Sequence, residues 1–166
     1  MMPVGHPERA AYRHCFEPNL AAIPVRNRPP GLDHATGRRM GLMSFFAVGF
    51  GAFAGALLRW GFGIAFNPFL PALPLGTLAA NLLGGFVIGA ALGVFNQFQS
   101  LPPELRLFVT TGFCGGLTTF STFSAETVTL MLRQQYGWTA AIIAAHVLGS
   151  LLMTLAGIGL MRVVLR

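Results

Sequence analysis

The sequence is poor in charged residues and in cysteine. Only 10% of the 166 residues are charged, lysine is absent, and all 11 basic residues are arginine. Soluble domains contain about 25% charged residues, so this low proportion, with a mean hydropathy of +0.63, indicates that lipid is the main solvent. Cys15 and Cys114 are too few for a small disulfide-stabilised secreted domain, and we expect neither a disulfide nor a metal site from them.

The net charge of +6 raises the question of nucleic-acid binding, which the positions of the arginines disfavour. Six arginines lie in the first 40 residues, and the others flank apolar segments, where membrane proteins commonly place them. We therefore expect no nucleic-acid partner.

Residues 1–40 differ from the rest of the chain. They are rich in proline and histidine and contain no apolar run longer than a few residues, so we predict a disordered N-terminal tail that is not a secretory signal. Met40 and Met43 stand immediately before the first apolar segment. An alternative is therefore that translation begins there and the tail is an artefact of an early start codon.

Residues 41–166 contain four apolar segments. A bilayer core about 30 Å thick requires about 20 apolar residues per helix, and each segment is long enough. The sequence predicts an all-α membrane protein with four transmembrane helices per subunit and short loops that leave no room for a soluble domain. The predicted spans are residues 41–64, 75–95, 105–132 and 138–164.

Small residues recur at four-residue steps on two of the predicted helices. Helices in lipid associate through close backbone approach at such faces, and four helices alone enclose little space for a permeation path. We therefore expect a homo-oligomer. The small residues are Ala47, Gly51 and Gly55 on the first helix and Gly85, Gly89 and Gly93 on the second.

The arginines near the predicted helix ends bear on orientation. Five lie on the side that holds both termini and two lie on the other side, which by the positive-inside rule favours cytoplasmic termini. A start at Met40 reduces the count to three against two, a weak bias that permits insertion in both orientations.

The most informative stretch lies at the middle of the third span, at residues 112–124. Three glycines in five residues, followed by hydroxyl and phenyl residues, make a poor continuous helix, so we predict a break in mid-membrane. Broken transmembrane helices recur at ion sites because their free carbonyl and amide groups can bind ions. The alternative is a glycine-rich packing helix whose hydroxyl groups bond back to their own backbone.

Three motifs together resemble the Fluc (CrcB-type) fluoride channels. They are residues 112–123 (GFCGGLTTFSTF), residues 76–81 (GTLAAN) and residues 55–60 (GALLRW), and the resemblance covers essentially all of residues 41–166. The resemblance implies a dual-topology antiparallel homodimer in the cell (inner or plasma) membrane, with several spans per subunit. It also implies passive fluoride export through two pores and a structural sodium ion at the dimer centre.

The resemblance assigns roles within the long motif. Gly115 and Thr118 match residues whose backbone carbonyls hold the sodium ion, and Phe120 and Phe123 match phenylalanines that face the fluoride path. An aromatic ring has a positive edge that can meet an anion. The alternative for both rings is ordinary core packing.

Asn81 matches the asparagine of the second helix in the family. A neutral amide offers two donors to an anion without trapping it, whereas the alternative is an interhelical hydrogen bond. The hydroxyl groups of Thr119, Thr122 and Ser150 are further candidate donors along the path.

Three ionisable residues in the spans are accessory candidates. Arg59 resembles the arginine at the end of the family's first helix and either raises the fluoride concentration in a vestibule or extends to the interface. Glu126 matches a family glutamate and either acts beside the anion path or faces water. His146 matches no motif, and it either donates to fluoride or hydrogen-bonds within the bundle.

Two other functions remain open on the residues alone. A small dual-topology proton-coupled exporter would use Glu126 as its titrating acid. An intramembrane enzyme could draw on Ser121, Ser124, Ser150 and His146, but the sequence has no Gly-x-Ser-x-Gly motif and no cluster of charged metal ligands. We expect a channel and not an enzyme.

Overall fold

The computed structural model describes residues 34–70 and 73–166, and this part of the chain is helical and contains no β-strand. The first 33 residues of the predicted disordered tail lie outside the described residues, and the first helix begins within that tail. The elements are α1 (His34–Phe66), a 3₁₀ turn (Asn67–Phe69), α2 (Leu75–Gln97), α3 (Pro103–Leu107), a π-helix (Phe108–Cys114), α4 (Gly115–Leu117), α5 (Phe120–Leu132) and α6 (Tyr136–Val164).

Among the described residues, three helices are long and apolar enough to cross a membrane: Gly41–Phe69, Leu75–Gln97 and Tyr136–Val164. The third predicted span, residues 105–132, is divided into shorter helical segments, the longest of which is the 13-residue α5. None of these segments alone reaches the length of about 20 residues that a span requires.

The glycines of the predicted break are themselves helical. Gly115 has φ −63° and ψ −37°, and the backbone becomes extended only afterwards, at Thr118 (φ −80°, ψ 153°) and Thr119 (φ −147°, ψ 114°). What the glycines provide is close packing. A Cβ on Gly116 would collide with the carbonyl oxygen of Ala52, and a Cβ on Gly51 would lie 2.5 Å from the carbonyl oxygen of Phe108. The helical run before Thr118 therefore lies directly against α1.

The second close contact joins α2 and α6, which run in the same direction. A Cβ on Gly85 would lie 2.8 Å from the carbonyl oxygen of Ser150, and one on Gly89 would collide with that of Thr154. In the reverse direction, a Cβ on Gly157 would collide with the carbonyl oxygen of Phe86. The glycine face predicted on the second helix thus sets the distance between α2 and α6.

Large apolar side chains remain exposed over much of the described surface. Phe45, Phe53, Leu132 and Leu152 are each more than 60% exposed, whereas the side chains that are fully buried are few. A surface of this kind requires lipid or another protein chain as its neighbour. Together with the apolar helices it indicates a membrane protein.

Candidate functional site

The two extended residues are held by the side chain of Asn81 on α2. The Thr119 N–H donates to Asn81 Oδ1 at 2.8 Å, and Asn81 Nδ2 donates to the Thr119 carbonyl at 3.2 Å. The side-chain amide thus pairs with both backbone groups of one residue, as a neighbouring strand would. This pairing stabilises extended backbone where the helix is interrupted.

The Asn81 pairing and the Thr119 hydroxyl each remove the helical donor of one carbonyl group. In a continuous helix the Thr119 N–H would donate to the Gly115 carbonyl, and the Thr122 N–H would donate to the Thr118 carbonyl. Here the Thr119 N–H donates to Asn81, and the Thr122 N–H donates to Thr119 Oγ1 at 3.2 Å. The carbonyl oxygens of Gly115 and Thr118, the two predicted sodium ligands, therefore lose their helical donors.

Thr119 also caps α5. Its hydroxyl oxygen accepts from the Thr122 N–H, and its own O–H donates to Thr122 Oγ1 at 2.9 Å. A threonine at this position satisfies one of the donors that the first turn of a helix leaves unpaired. Two of the predicted hydroxyl candidates therefore form one hydrogen-bonded pair.

Arg59 lies against the end of α4. Its Nε donates to the carbonyl oxygen of Gly116 at 3.1 Å, which places a cation at the C-terminal end of the helical run before Thr118. The side chain is partly buried, so Arg59 both binds the interrupted segment and brings a positive charge close to it.

His146 contacts two of the predicted path residues. Its Nδ1 lies 3.0 Å from Asn81 Nδ2, and its ring stacks on that of Phe123 with the centroids 4.7 Å apart at 30°. The side chain is 4% exposed, and Nε2 has no hydrogen-bond partner among the described residues. Asn81 Nδ2 thus lies within hydrogen-bonding distance of both the Thr119 carbonyl and His146 Nδ1, so the Asn81 amide contacts two other helical segments. Its role toward fluoride stays a prediction.

The two predicted path phenylalanines lie together but differ in burial. Their ring centroids are 5.6 Å apart at 59°, with Phe120 79% exposed and Phe123 8% exposed. Phe123 thus packs inside the subunit against His146, while Phe120 projects from it.

A cavity of about 450 Å³ brings most of the predicted residues together. Its wall also includes residues that were not predicted, among them Ile88, Thr110 and Cys114. The predicted residues that line it are Asn81, Gly115, Thr118, Thr119, Phe120, Phe123, His146 and Ser150.

A second cavity, of about 340 Å³, lies on the Arg59 side and is lined by Thr77, Thr119 and Thr122 as well as Arg59. Thr119 lines both cavities, so the threonine that caps α5 lies where the two cavities approach each other.

Glu126 is bonded to a residue that the sequence did not single out. The Thr77 hydroxyl donates to Glu126 Oε1 at 2.7 Å, while Oε2 is buried and has no partner among the described residues. Thr77 lies one helical turn before Asn81 on α2, and this four-residue spacing was the signal that could have identified it. Glu126 therefore packs between helices and is not simply solvated.

Comparison with known proteins gives consistent matches. Residues 46–158 match the family described as CrcB-like protein, Camphor Resistance (CrcB). A protein of Nitrosospira multiformis described as fluoride-specific ion channel FluC is 64% identical over 119 residues, which cover 72% of this chain and 93% of that protein. Proteins with the same description from Cupriavidus taiwanensis (56% over 119 residues, 72% and 94% covered) and Pseudomonas paraeruginosa (58% over 115 residues, 69% and 91% covered) are also similar.

Proposed function

Because the chain belongs to the CrcB-like family, we propose that it is a fluoride-selective ion channel that passively exports fluoride from the cytoplasm and so lowers its toxicity. The observation that carries the proposal is the cavity of about 450 Å³, which is lined by two phenylalanines, by residues with hydroxyl groups and by the two residues with extended backbone. The segments between Pro103 and Leu132 together form the third, broken span of four.

The wall chemistry suits a small anion that holds its hydration shell tightly. Conduction requires groups that replace water without binding the ion too firmly. The hydroxyl groups of Thr119 and Ser150 and the rings of Phe120 and Phe123, whose edges are positive, line this cavity, are neutral and meet this requirement. The Thr122 hydroxyl lines the second cavity and would serve the path there.

The channel is proposed to be an antiparallel homodimer with dual topology and two pores. The cavity opens to the surface of the single chain, and Phe120 is 79% exposed beside it although its side chain is apolar. A second copy that covers this face would close the cavity and bury Phe120. The protein would cross the inner (plasma) membrane several times per subunit.

A structural sodium ion fits the residues present. The carbonyl oxygens of Gly115 and Thr118 lose their helical donors to Asn81 and to Thr119, which leaves them available to a hard cation. Two such oxygens from each subunit would hold the ion at the dimer interface, where it would supply a fixed positive charge. Asn81 is the residue that keeps the first of these carbonyls available.

Arg59 is proposed to contribute to a vestibule at the second cavity. Its positive charge lies next to the interrupted segment and would raise the local concentration of anions. Thr119 would then pass the ion from the vestibule to the ring edges.

Reconstitution tests this function directly. The purified protein is incorporated into vesicles loaded with potassium fluoride, valinomycin is added, and external fluoride is followed with an electrode. We expect rapid fluoride efflux and negligible chloride efflux from matched chloride-loaded vesicles. Absence of fluoride efflux from folded, incorporated protein would refute the proposal, and equal chloride efflux would refute its selectivity.

A further inference from the structure

The orientation of the Asn81 amide is determined by a backbone group. The Thr119 N–H can only donate, so the Asn81 atom 2.8 Å from it must be the oxygen. The amide nitrogen then lies on the other side, where it donates to the Thr119 carbonyl and faces His146 Nδ1 at 3.0 Å. No choice between the two amide orientations remains.

This orientation determines the protonation of His146. Because Asn81 Nδ2 is a donor, Nδ1 of the imidazole must accept, and it must therefore carry no proton. The ring proton of the neutral side chain is then on Nε2. The other neutral tautomer and the imidazolium both place an N–H against the amide N–H. Nε2 has no partner among the described residues in any of the three states, so the contact at Nδ1 decides between them.

We propose that His146 is a positioning residue: its neutral imidazole, protonated at Nε2, orients the Asn81 amide and thereby holds Thr119 in the extended conformation. In the fluoride channel proposed above, on which the flux part of this inference rests, His146 then acts on the permeation path through Asn81.

The surrounding packing gives the imidazole little freedom to move. The side chain is 4% exposed and is stacked on Phe123. Phe123 lies in the first turn of α5, the helix that begins immediately after the extended residues. One turn further along both helices, the Gly85 backbone lies against the Ser150 carbonyl, which fixes the distance between α2 and α6 at this level. Asn81 and His146 are therefore held opposite each other by the helices that carry them.

Two substitutions of His146 distinguish its role as a hydrogen-bond acceptor for Asn81 from a role in packing alone. In His146→Asn, the side-chain oxygen lies near the position of Nδ1 and can still accept from Asn81, whereas His146→Leu fills similar space with no acceptor. We expect fluoride efflux from vesicles to stay close to that of the unmodified protein in His146→Asn and to fall about tenfold in His146→Leu, as for the loss of one buried hydrogen bond. Leu148→Ala, at a 59% exposed position on the same helix, is the control and should not change efflux.

The outcomes are decisive in each direction. Unchanged efflux in His146→Leu, or an equal loss in both His146 variants that remain folded, would overturn the proposal. If the unmodified protein gives no fluoride efflux, the proposed function fails, and the positioning role is then decided by spectroscopy alone.

Nitrogen-15 NMR of the histidine side chains measures the protonation of the His146 ring directly and does not depend on fluoride efflux. The His146 signals are assigned in the full-length protein as those lost in His146→Asn. We expect a neutral ring protonated at Nε2 at neutral pH. A proton on Nδ1, alone or together with Nε2, would overturn the proposal even if His146→Leu failed to fold.

Discussion

Asn81 and Thr119 are joined by two hydrogen bonds that make a side chain act as a strand partner. The amide accepts from the Thr119 N–H at 2.8 Å and donates to the Thr119 carbonyl at 3.2 Å. An interruption of a helix within a membrane is tolerated only where its backbone groups find partners in the protein or in an aqueous cavity. Asn81 provides such partners, so the conformation of Thr119 depends on a residue of another helix.

Asn81→Leu should therefore remove fluoride efflux and lower the stability of the fold. Leucine leaves the Thr119 N–H and carbonyl and His146 Nδ1 without this partner, and a buried unsatisfied polar group costs about 1–3 kcal/mol. Thermal unfolding in detergent and vesicle efflux measure the two effects. Asn96→Leu, the same change at an exposed position near the end of α2, is the control and should alter neither.

Substitutions at Thr119 can test its capping hydrogen bond to the Thr122 N–H separately from its backbone pairing with Asn81. Thr119→Val keeps the shape and the backbone pairing with Asn81 but removes the hydroxyl oxygen that accepts from the Thr122 N–H. We expect a loss of about 0.5–2 kcal/mol in the free energy of unfolding, typical of a lost N-cap, together with slower fluoride efflux. Thr119→Ser keeps the hydroxyl and should retain both properties. If the valine and serine variants proved equally stable, the cap would have no energetic role.

Much of the helical framework follows from the sequence because it depends on local periodicity and on membrane thickness. Length and apolarity predict spans at 75–95 and 138–164, and the helices occupy Leu75–Gln97 and Tyr136–Val164. The four-residue spacing of Gly85 and Gly89 predicts a close-packed face, since residues at that spacing lie on one side of a helix.

The details of the site depend on contacts between residues far apart in the sequence. Composition indicates a poor helix near Gly115, but only the partnership with Asn81, 38 residues away from Thr119, places the extended backbone at Thr118 and Thr119. The pairing of Thr77 with Glu126 and of Asn81 with His146 likewise requires α2 to lie beside α5 and α6. The π-helix at Phe108–Cys114 has no signal in the sequence that we can name.

The two phenylalanines proposed to face the fluoride path should respond differently to the same substitution. Phe120 is 79% exposed, so Phe120→Ile should impair fluoride efflux with little effect on the stability of the subunit. Phe123 is 8% exposed and stacks on His146, so Phe123→Ile should impair efflux and also lower the unfolding temperature. Efflux and thermal unfolding are measured on both variants after their oligomeric state is compared with that of the unmodified protein. Normal efflux in both variants would eliminate the role of the ring edges.

Two glycines on α6 provide a matched test of the packing against α2. A Cβ on Gly157 would collide with the Phe86 carbonyl oxygen and lie 2.7 Å from the Ala90 nitrogen, whereas a Cβ on Gly159 would meet nothing within 4 Å. Gly157→Ala should destabilise the fold by about 1–3 kcal/mol through overpacking. Gly159→Ala should be neutral or stabilising by up to about 1 kcal/mol, because alanine is the better helix former. Thermal unfolding of the pair measures this difference, and equal stability would contradict the close approach.

Glu126 distinguishes a passive channel from a proton-coupled exporter. Glu126→Gln keeps an oxygen that can accept from the Thr77 hydroxyl but removes the titratable group. In a passive channel, fluoride efflux should continue in this variant, within about tenfold of the unmodified protein, and should not require a proton gradient in either protein. In an exporter, transport driven by an imposed pH gradient should disappear in the glutamine variant, because Glu126 is the one acid within the predicted spans 41–64, 75–95, 105–132 and 138–164. Glu104→Gln, at the start of α3, is the control for loss of one acidic charge. Fluoride flux that depends on the gradient and is abolished only by the Glu126 substitution would replace the channel with the exporter.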